Sequence, residues 1–441
     1  MSKVSPARGM RDFLPADMRR RHWVISRVRE VFERYGFEPL QTPALERIET
    51  LTGKYGEEGD RLLFRVLKRG EGGARGEADM GMRYDLTVPL ARVMASHPSL
   101  PTPFRRYQIQ SVWRADRPQR GRFREFMQCD VDTVGSTSPV ADAECLAVVH
   151  AALKSLGFEA FRIRVNHREI LRAMVDRMGV PELEGQVLVA LDKLDKIGRE
   201  GVDRELVARG VPAEAAVELW RLLACAPADA SSEQGLEALG AELNEAGQQA
   251  VANLHRVLAL AAQLGVPATH VLFDPTLARG LDYYTGAVFE TVVLEPDIGS
   301  ISGGGRYDDL VGMFSGRPLP AVGVSLGIER ILVVMDELGM FPDLGSGVQV
   351  MVVALGEDEL PAALAAAAVL RDAGISVQVS PEPMRFKKIM KAAGRTAVPW
   401  LVLVGDHERQ AGMVALRDMT TREQVVVSPV DAAERILEPG A

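Results

Sequence analysis

The run Val112-Trp-Arg-Ala-Asp-Arg-Pro-Gln-Arg-Gly-Arg-Phe-Arg-Glu-Phe126 decides how this chain is read. On either side of it, residues 103–113 and 123–134 alternate polar and apolar side chains at the period of a strand. The whole therefore predicts a β-hairpin with a long tip at 114–122. Residues 105–124 carry seven arginines against one acid, Asp116. An arginine at a hairpin tip is most often solvated, but here aromatic and apolar residues interleave with the charges. On the returning strand Gln128 and Asp132 share a parity, so both side chains reach one pocket.

The rest of the chain sets limits around that hairpin. Its 441 residues allow two or three domains, and 47% hydrophobic with 25% charged residues is ordinary for a globular protein. A net charge of -8 argues against nucleic-acid binding by bulk positive charge and leaves room for a local basic surface. Cys129, Cys145 and Cys225 have no metal-type spacing and build no disulfide framework, so a reducing compartment is expected. No metal site made by protein side chains alone is expected from the seven scattered histidines. The N-terminus has no apolar targeting core and no run is long enough to span a bilayer, which together predict a cytoplasmic protein without membrane contact.

Helical spacing runs from Asp17 to Arg34 and ends at Tyr35-Gly36. Residues 61–70 and 81–90 read as strands around a loop at 70–78. A helix is expected near 140–157, and a mostly helical insertion up to about 265. Strand signals return at 271–273, 286–294 and 320–327, before a helix at 328–338. Beyond Leu344-Gly-Ser-Gly347, which reads as a linker, strands and helices alternate as in a small α/β domain.

The chain has no G-x-x-x-x-G-K-[ST], and no G-x-G-x-x-G opening a helix after a strand. A bound nucleotide must then rely on arginine, whose planar fork engages phosphate oxygens bidentately. Two further segments supply such residues. One is Ala278-Arg-Gly-Leu-Asp-Tyr-Tyr-Thr-Gly286, followed by Ser302-Gly-Gly-Gly-Arg-Tyr-Asp308, read as a glycine-rich turn. The other is Gly323-Val-Ser-Leu-Gly-Ile-Glu-Arg330, where glycines leave one strand face open before an acid-arginine pair. Bland readings stand beside these. Asp85 could cap a helix or pair with Arg83, Tyr283 would face the core, Asp308 and Asp309 would satisfy a turn, and Glu329 would form a structural ion pair.

Together and in this order the segments resemble class II aminoacyl-tRNA synthetases. The Pro43 region is similar to motif 1, residues 104–135 to motif 2 and residues 323–330 to motif 3. The resemblance narrows to histidyl-tRNA synthetases through Arg279-Gly-Leu-Asp-Tyr-Tyr284, Gly304-Gly-Arg-Tyr-Asp308 and Arg83-Tyr-Asp-Leu-Thr87. Many bacterial members carry Arg-Pro-Glu-Gly-Thr at the last of these, so the carboxylate here is one methylene shorter.

That resemblance implies an α+β catalytic core, an antiparallel sheet with flanking helices, interrupted by a helical insertion and followed by a small C-terminal α/β domain. The implied division is a core at 1–166 and 269–343, an insertion at 167–268, and an anticodon-binding domain at 348–441. It also implies roles. Arg114 and Arg279 would act at the α-phosphate of ATP and Arg330 at the γ-phosphate, all three counted as catalytic. Arg122 and Phe126 would complete the ATP site, with Phe126 on adenine. Asp85, Thr87 and Gln128 would hold the histidine ammonium. Asp132 and Tyr284 would read the imidazole nitrogens, and Tyr307 would close the pocket.

The implied activity is a ligase that makes histidyl-adenylate from L-histidine and ATP with Mg²⁺, then transfers the histidyl group to tRNA(His), working as a homodimer with no tightly bound cofactor. The alternative is a synthetase-like, histidine-binding regulatory subunit of ATP phosphoribosyltransferase. A class II synthetase for another amino acid is disfavoured by Asp-Tyr-Tyr after Arg279.

Overall fold

A computed structural model describes residues 4–227, 231–278 and 283–438. In chain order its strands are β1 (Glu38–Pro39), β2 (Leu45–Arg47), β3 (Arg65–Leu67), β4 (Ala78–Met82), β5 (Phe104–Trp113), β6 (Glu125–Val134), β7 (Phe161–His167) and β8 (Val271–Phe273). There follow β9 (Ala287–Val293), β10 (Ser300–Arg306), β11 (Ala321–Gly327), β12 (Val350–Ala354), β13 (Val377–Val379), β14 (Trp400–Val404), β15 (Val414–Asp418) and β16 (Gln424–Val427).

The large sheet has eight strands in the order β1-β5-β6-β11-β10-β9-β7-β8. From β5 to β7 every neighbour is antiparallel, while β1 and β8 join its edges in parallel. The hairpin read from the sequence is β5 with β6, in unbroken register from Phe104 opposite Val134 to Trp113 opposite Glu125. Helices Pro139–Ser155 and Ile328–Glu337 pack against β6. Its residues 128–134 are all buried.

The expectation of a strand at 81–90 is corrected. β4 ends at Met82, and Thr87–Ser96 is a helix. Asp85 decides the switch, because its Oδ1 accepts the Val88 N–H at 3.0 Å and satisfies a first-turn donor. Pro89 is tolerated there since it falls in the first turn. The loop expected at 70–78 contains a single helical turn, Glu71–Ala74.

A second correction concerns Ser302-Gly-Gly-Gly, expected as a turn. It is the middle of β10, an interior strand between β9 and β11. A Cβ on Gly304 would stand 2.2 Å from the Gly323 carbonyl oxygen, so the two strands approach too closely for any side chain.

Helices fill most of residues 168–263, from Arg168–Arg177 to Glu245–Gln263. Within this stretch Pro181–Leu183 is a 3-10 turn leading into the helix Glu184–Leu191. Glu245–Gln263 packs on Pro139–Ser155, so this helical region shares a compact unit with the large sheet. That unit comprises Met1–Phe13 and Arg21–Met340. The second unit comprises Leu14–Arg20 and Phe341–Ala441 and holds a five-stranded sheet, β13-β12-β14-β15-β16. Its core is aliphatic, with Val350, Val352, Ala363, Leu370 and Val402 among the fully buried residues.

Candidate active site

A cavity of about 370 Å³ opens on the face of the sheet that carries the even-numbered residues of β6. Asp85, Thr87, Arg114, Arg122, Phe126, Gln128, Asp132, Tyr284, Tyr307 and Arg330 all line it. The structure therefore brings together every site residue expected from the sequence except Arg279, which lies outside the described residues. The cavity follows β6 from Phe126 to Asp132, roughly 20 Å of extended chain.

Carboxylates gather at the Asp132 end. Tyr307 O–H donates to Asp132 Oδ1, and Arg106 Nη2 stands 2.8 Å from Oδ2. Arg106 pairs with Asp132 across the β5–β6 ladder and has 0% of its surface exposed. Arg106, one of the seven arginines of residues 105–124, is thus a core residue. Asp130, with Gln128 and Asp132 on the same face, also lines the cavity and is 2% exposed. Burial raises both aspartates above the ordinary carboxylate range, Asp130 to about 7, with Arg106 opposing the shift.

Asp85 is buried beside Tyr55, whose hydroxyl donates to its Oδ1 at 3.1 Å. Burial raises Asp85, and the Val88 N–H and Arg114 pull it back. Gln128 donates from Nε2 to Ser325 Oγ at 3.0 Å, and its buried Oε1 has no hydrogen-bond partner. Tyr283 packs against the core cluster around Tyr307, as expected of it, and also lines the cavity beside Tyr284, with ring centroids 4.8 Å apart. The two tyrosines precede β9 and are not in a strand, so strand alternation does not apply to them. Burial raises both phenols.

The other end carries cations and an aromatic face. Arg114 lies over Tyr84 and Phe126, 4.3 and 5.1 Å from their ring centroids, and its Nε donates to the Tyr84 carbonyl. Arg330 reaches the Gly121 and Ser300 carbonyls, tying the hairpin tip to β10. Arg122 pairs with Asp116 at 2.8 Å. Glu329 forms the ion pair expected of it, with Arg21 at 2.7 Å, and also accepts the Met127 N–H. Asp308 accepts the Ala321 N–H and pairs with Arg306, as a turn-satisfying acid should. The floor between the two ends is glycine. A Cβ on Gly303 or Gly327 would meet only a carbonyl oxygen beyond 3.4 Å, leaving open area for a flat ring.

Sequence reading missed Asp130, Arg106, Tyr55 and Ser325. Strand parity was the available signal for Asp130. Nothing local marked the others. Among the described residues no group of three or more His, Cys, Asp or Glu is placed to hold a metal ion.

A cavity with buried acids at one end, arginines at the other and a flat floor suits an amino acid beside a nucleotide. Comparison with known proteins agrees. The family model for histidyl-tRNA synthetase matches residues 9–331, and one for an anticodon binding domain matches 349–438. A histidine–tRNA ligase from Gloeobacter violaceus is 41% identical over 465 residues, covering 99% of both chains. One from Aeropyrum pernix is 43% identical over 437 residues, covering 98% of both. The crystal structure of histidyl-tRNA synthetase from a Nostoc species superposes with a TM-score of 0.81 at 31% identity, covering 98% of both chains. On a full-length likeness to ligases and a family model spanning the whole cavity, the chain belongs to the histidyl-tRNA synthetase family.

Proposed function

We propose that this histidine–tRNA ligase lays histidine and ATP end to end along β6. Asp85, Thr87 and the unpartnered Gln128 Oε1 hold the ammonium, and the imidazole enters among Tyr284, Tyr307 and the aspartates. Phe126 faces adenine over the glycine floor, with Arg122 beside it. Arg330 holds the γ-phosphate. Arg114, between the two ends, takes the α-phosphate. Adenylate formation brings a carboxylate onto that phosphate, so a fixed cation must offset the repulsion and the charge of the transition state. Arg279 is given a second contact there by the sequence resemblance alone. The ATP enters with Mg²⁺ as substrate, and tRNA(His) then accepts the histidyl group.

The observation that carries this reading is the convergence of residues from five separated segments on one cavity. It is tested by amino-acid-dependent ATP–pyrophosphate exchange against all twenty amino acids. Exchange is expected with histidine alone, falling about 10²–10³-fold in Arg114→Ala, as for loss of one preorganised contact. The same loss is expected for Arg279→His. A wild type that binds histidine but exchanges with no amino acid would sink the ligase assignment. It would favour the regulatory-subunit reading, which is less supported because ligases match along the whole chain.

Exposed Leu45, Leu67 and Met80 lie on the β2-β4-β3 sheet beside the motif 1 segment. They support a homodimer built on that face, which sedimentation velocity would detect. No helix among the described residues is long and apolar enough to cross a membrane, in keeping with a cytoplasmic site of action.

A further inference from the structure

Residues 9–13 grip the root of the hairpin tip, the part that presents Arg114, Arg122 and Phe123 to the cavity. The Arg114 N–H donates to the Arg124 carbonyl at 2.9 Å, and a continuing antiparallel ladder would return the Arg124 N–H to Arg114. It goes instead to the Gly9 carbonyl, at 2.8 Å, so Gly9 replaces one rung of the hairpin. Gly9 has φ +85°, and a Cβ on it would stand 2.7 Å from Pro118 Cγ and 2.9 Å from Arg124 Cγ. Only a residue without a side chain seats there. Two residues on, the Arg11 guanidinium lies over the Phe123 ring, 3.4 Å from its centroid. The Phe13 ring in turn carries Arg11 and Arg21, at 4.8 and 4.5 Å. Arg21 pairs with Glu329, which accepts the Met127 N–H. These contacts run without a break from Gly9 to the residue after Phe126.

The tip needs such support. Between positions 114 and 124 it carries Arg114, Arg117, Arg120, Arg122 and Arg124 against the single acid Asp116, and like charges repel. A tip left loose would have to be ordered when the phosphates arrive, at a cost in affinity, whereas one already in place binds without it. We propose that residues 9–13 are a positioning strap for the ATP site: Gly9 sets Arg124 and through it Arg114, and Arg11 sets Phe123. The inference deepens the histidine-ligase reading, on which it rests, by adding residues that act on nucleotide binding through the hairpin. The tip has further anchors in Arg330 on the Gly121 carbonyl and in the Arg120–Glu337 pair, so a weakened strap loosens it without releasing it. The acid end of the cavity is held from other segments, by Val88, Tyr307 and Arg106. Histidine binding is therefore insulated from the strap.

The test is pyrophosphate exchange with ATP and histidine varied in turn. Arg11→Ala is expected to raise the ATP KM about 2- to 5-fold, as for loss of one exposed cation–ring contact. The histidine KM should stay within about 1.5-fold of wild type, since uniform binding is lost for one substrate only. Arg11→Lys keeps a cation over the ring and should recover part of the loss. Gly9→Ala lifts the strap from Arg124 and Phe123 together, for a rise of about 10-fold. Arg11 is exposed, so its variant decides the matter if Gly9→Ala does not fold. Trypsin gives a readout apart from activity: cleavage after Arg120 and Arg122 should quicken in both variants, and saturating ATP should slow it again. An ATP KM unchanged in both variants overturns the proposal, whether or not cleavage quickens. Equal rises in the ATP and histidine KM also overturn it, as the mark of a general structural role. Absence of exchange in wild type overturns the ligase reading instead, and the failures are thereby distinct.

Discussion

Arg106 is the largest fully buried side chain among the described residues, and two aspartates face it. A guanidinium stays charged at any depth, so its removal leaves carboxyl groups with no compensating cation. Arg106→Met is expected to destabilise the first unit by about 3–5 kcal/mol, read from the urea midpoint at pH 7. A change below about 1 kcal/mol would show that the aspartates are neutral in wild type. Asp130 predicts the opposite sign. Its folded pKa, about 7, lies above its ordinary value, so its contribution to stability is present below about pH 4 and lost as pH rises through 7. Asp130→Asn should therefore match wild type near pH 4 and become the more stable of the two by pH 7. Equal stability at both pH values would refute the shift. At this scale the sequence was partly legible. Family motifs pointed to Asp85, Gln128, Asp132 and Tyr307, and parity could have added Asp130. Arg106 was illegible because a hairpin with a long tip has no turn type to fix its register. Only the register shows that Arg106, and not Arg105, faces Asp132.

Strands with side chains on alternating faces announced themselves, and β5, β6, β9 and β11 fall within a residue or two of where the alternation put them. β10 did not, because three consecutive glycines have no pattern to read. What demands those glycines is the neighbouring backbone and the cavity above it, neither of which is local. The Thr87–Ser96 helix was misread for a similar reason: its start depends on one Asp85 hydrogen bond. Gly323 gives the element-scale prediction. Gly323→Ala pushes a methyl into Asp132 Oδ1 and the Val131 carbonyl. Overpacking of this kind costs about 1–3 kcal/mol, and here it also displaces the acid. Thermal melts should show a modest loss, while the histidine KM in pyrophosphate exchange rises more than the ATP KM. Equal effects on both substrates would mean that the strand as a whole has shifted.

Across the whole molecule a net charge of -8 coexists with one basic face in the second unit. The helix Phe386–Thr396 buries Ile389 and Ala393 and exposes Lys387, Lys388, Lys391 and Arg395. Both the segment and its charge were plain in the sequence, because amphipathic spacing is local. Lys387→Ala with Lys388→Ala is expected to raise the tRNA KM and flatten its salt dependence by about two phosphate contacts, leaving pyrophosphate exchange untouched. Unchanged tRNA kinetics would remove this helix from the tRNA surface. The strand order carries one more consequence, for synthesis on the ribosome. β11 is inserted between β6 and β10, so the centre of the sheet is closed by its last strand in chain order. A nascent chain that has not yet released residues 321–327 holds two half-sheets with open edges, the kind of exposed ladder that invites association with other chains. Slow codons or a stall before that strand has left the ribosome should divert the product into aggregates, whereas a pause after the whole of residues 321–340 has emerged should be harmless to this unit.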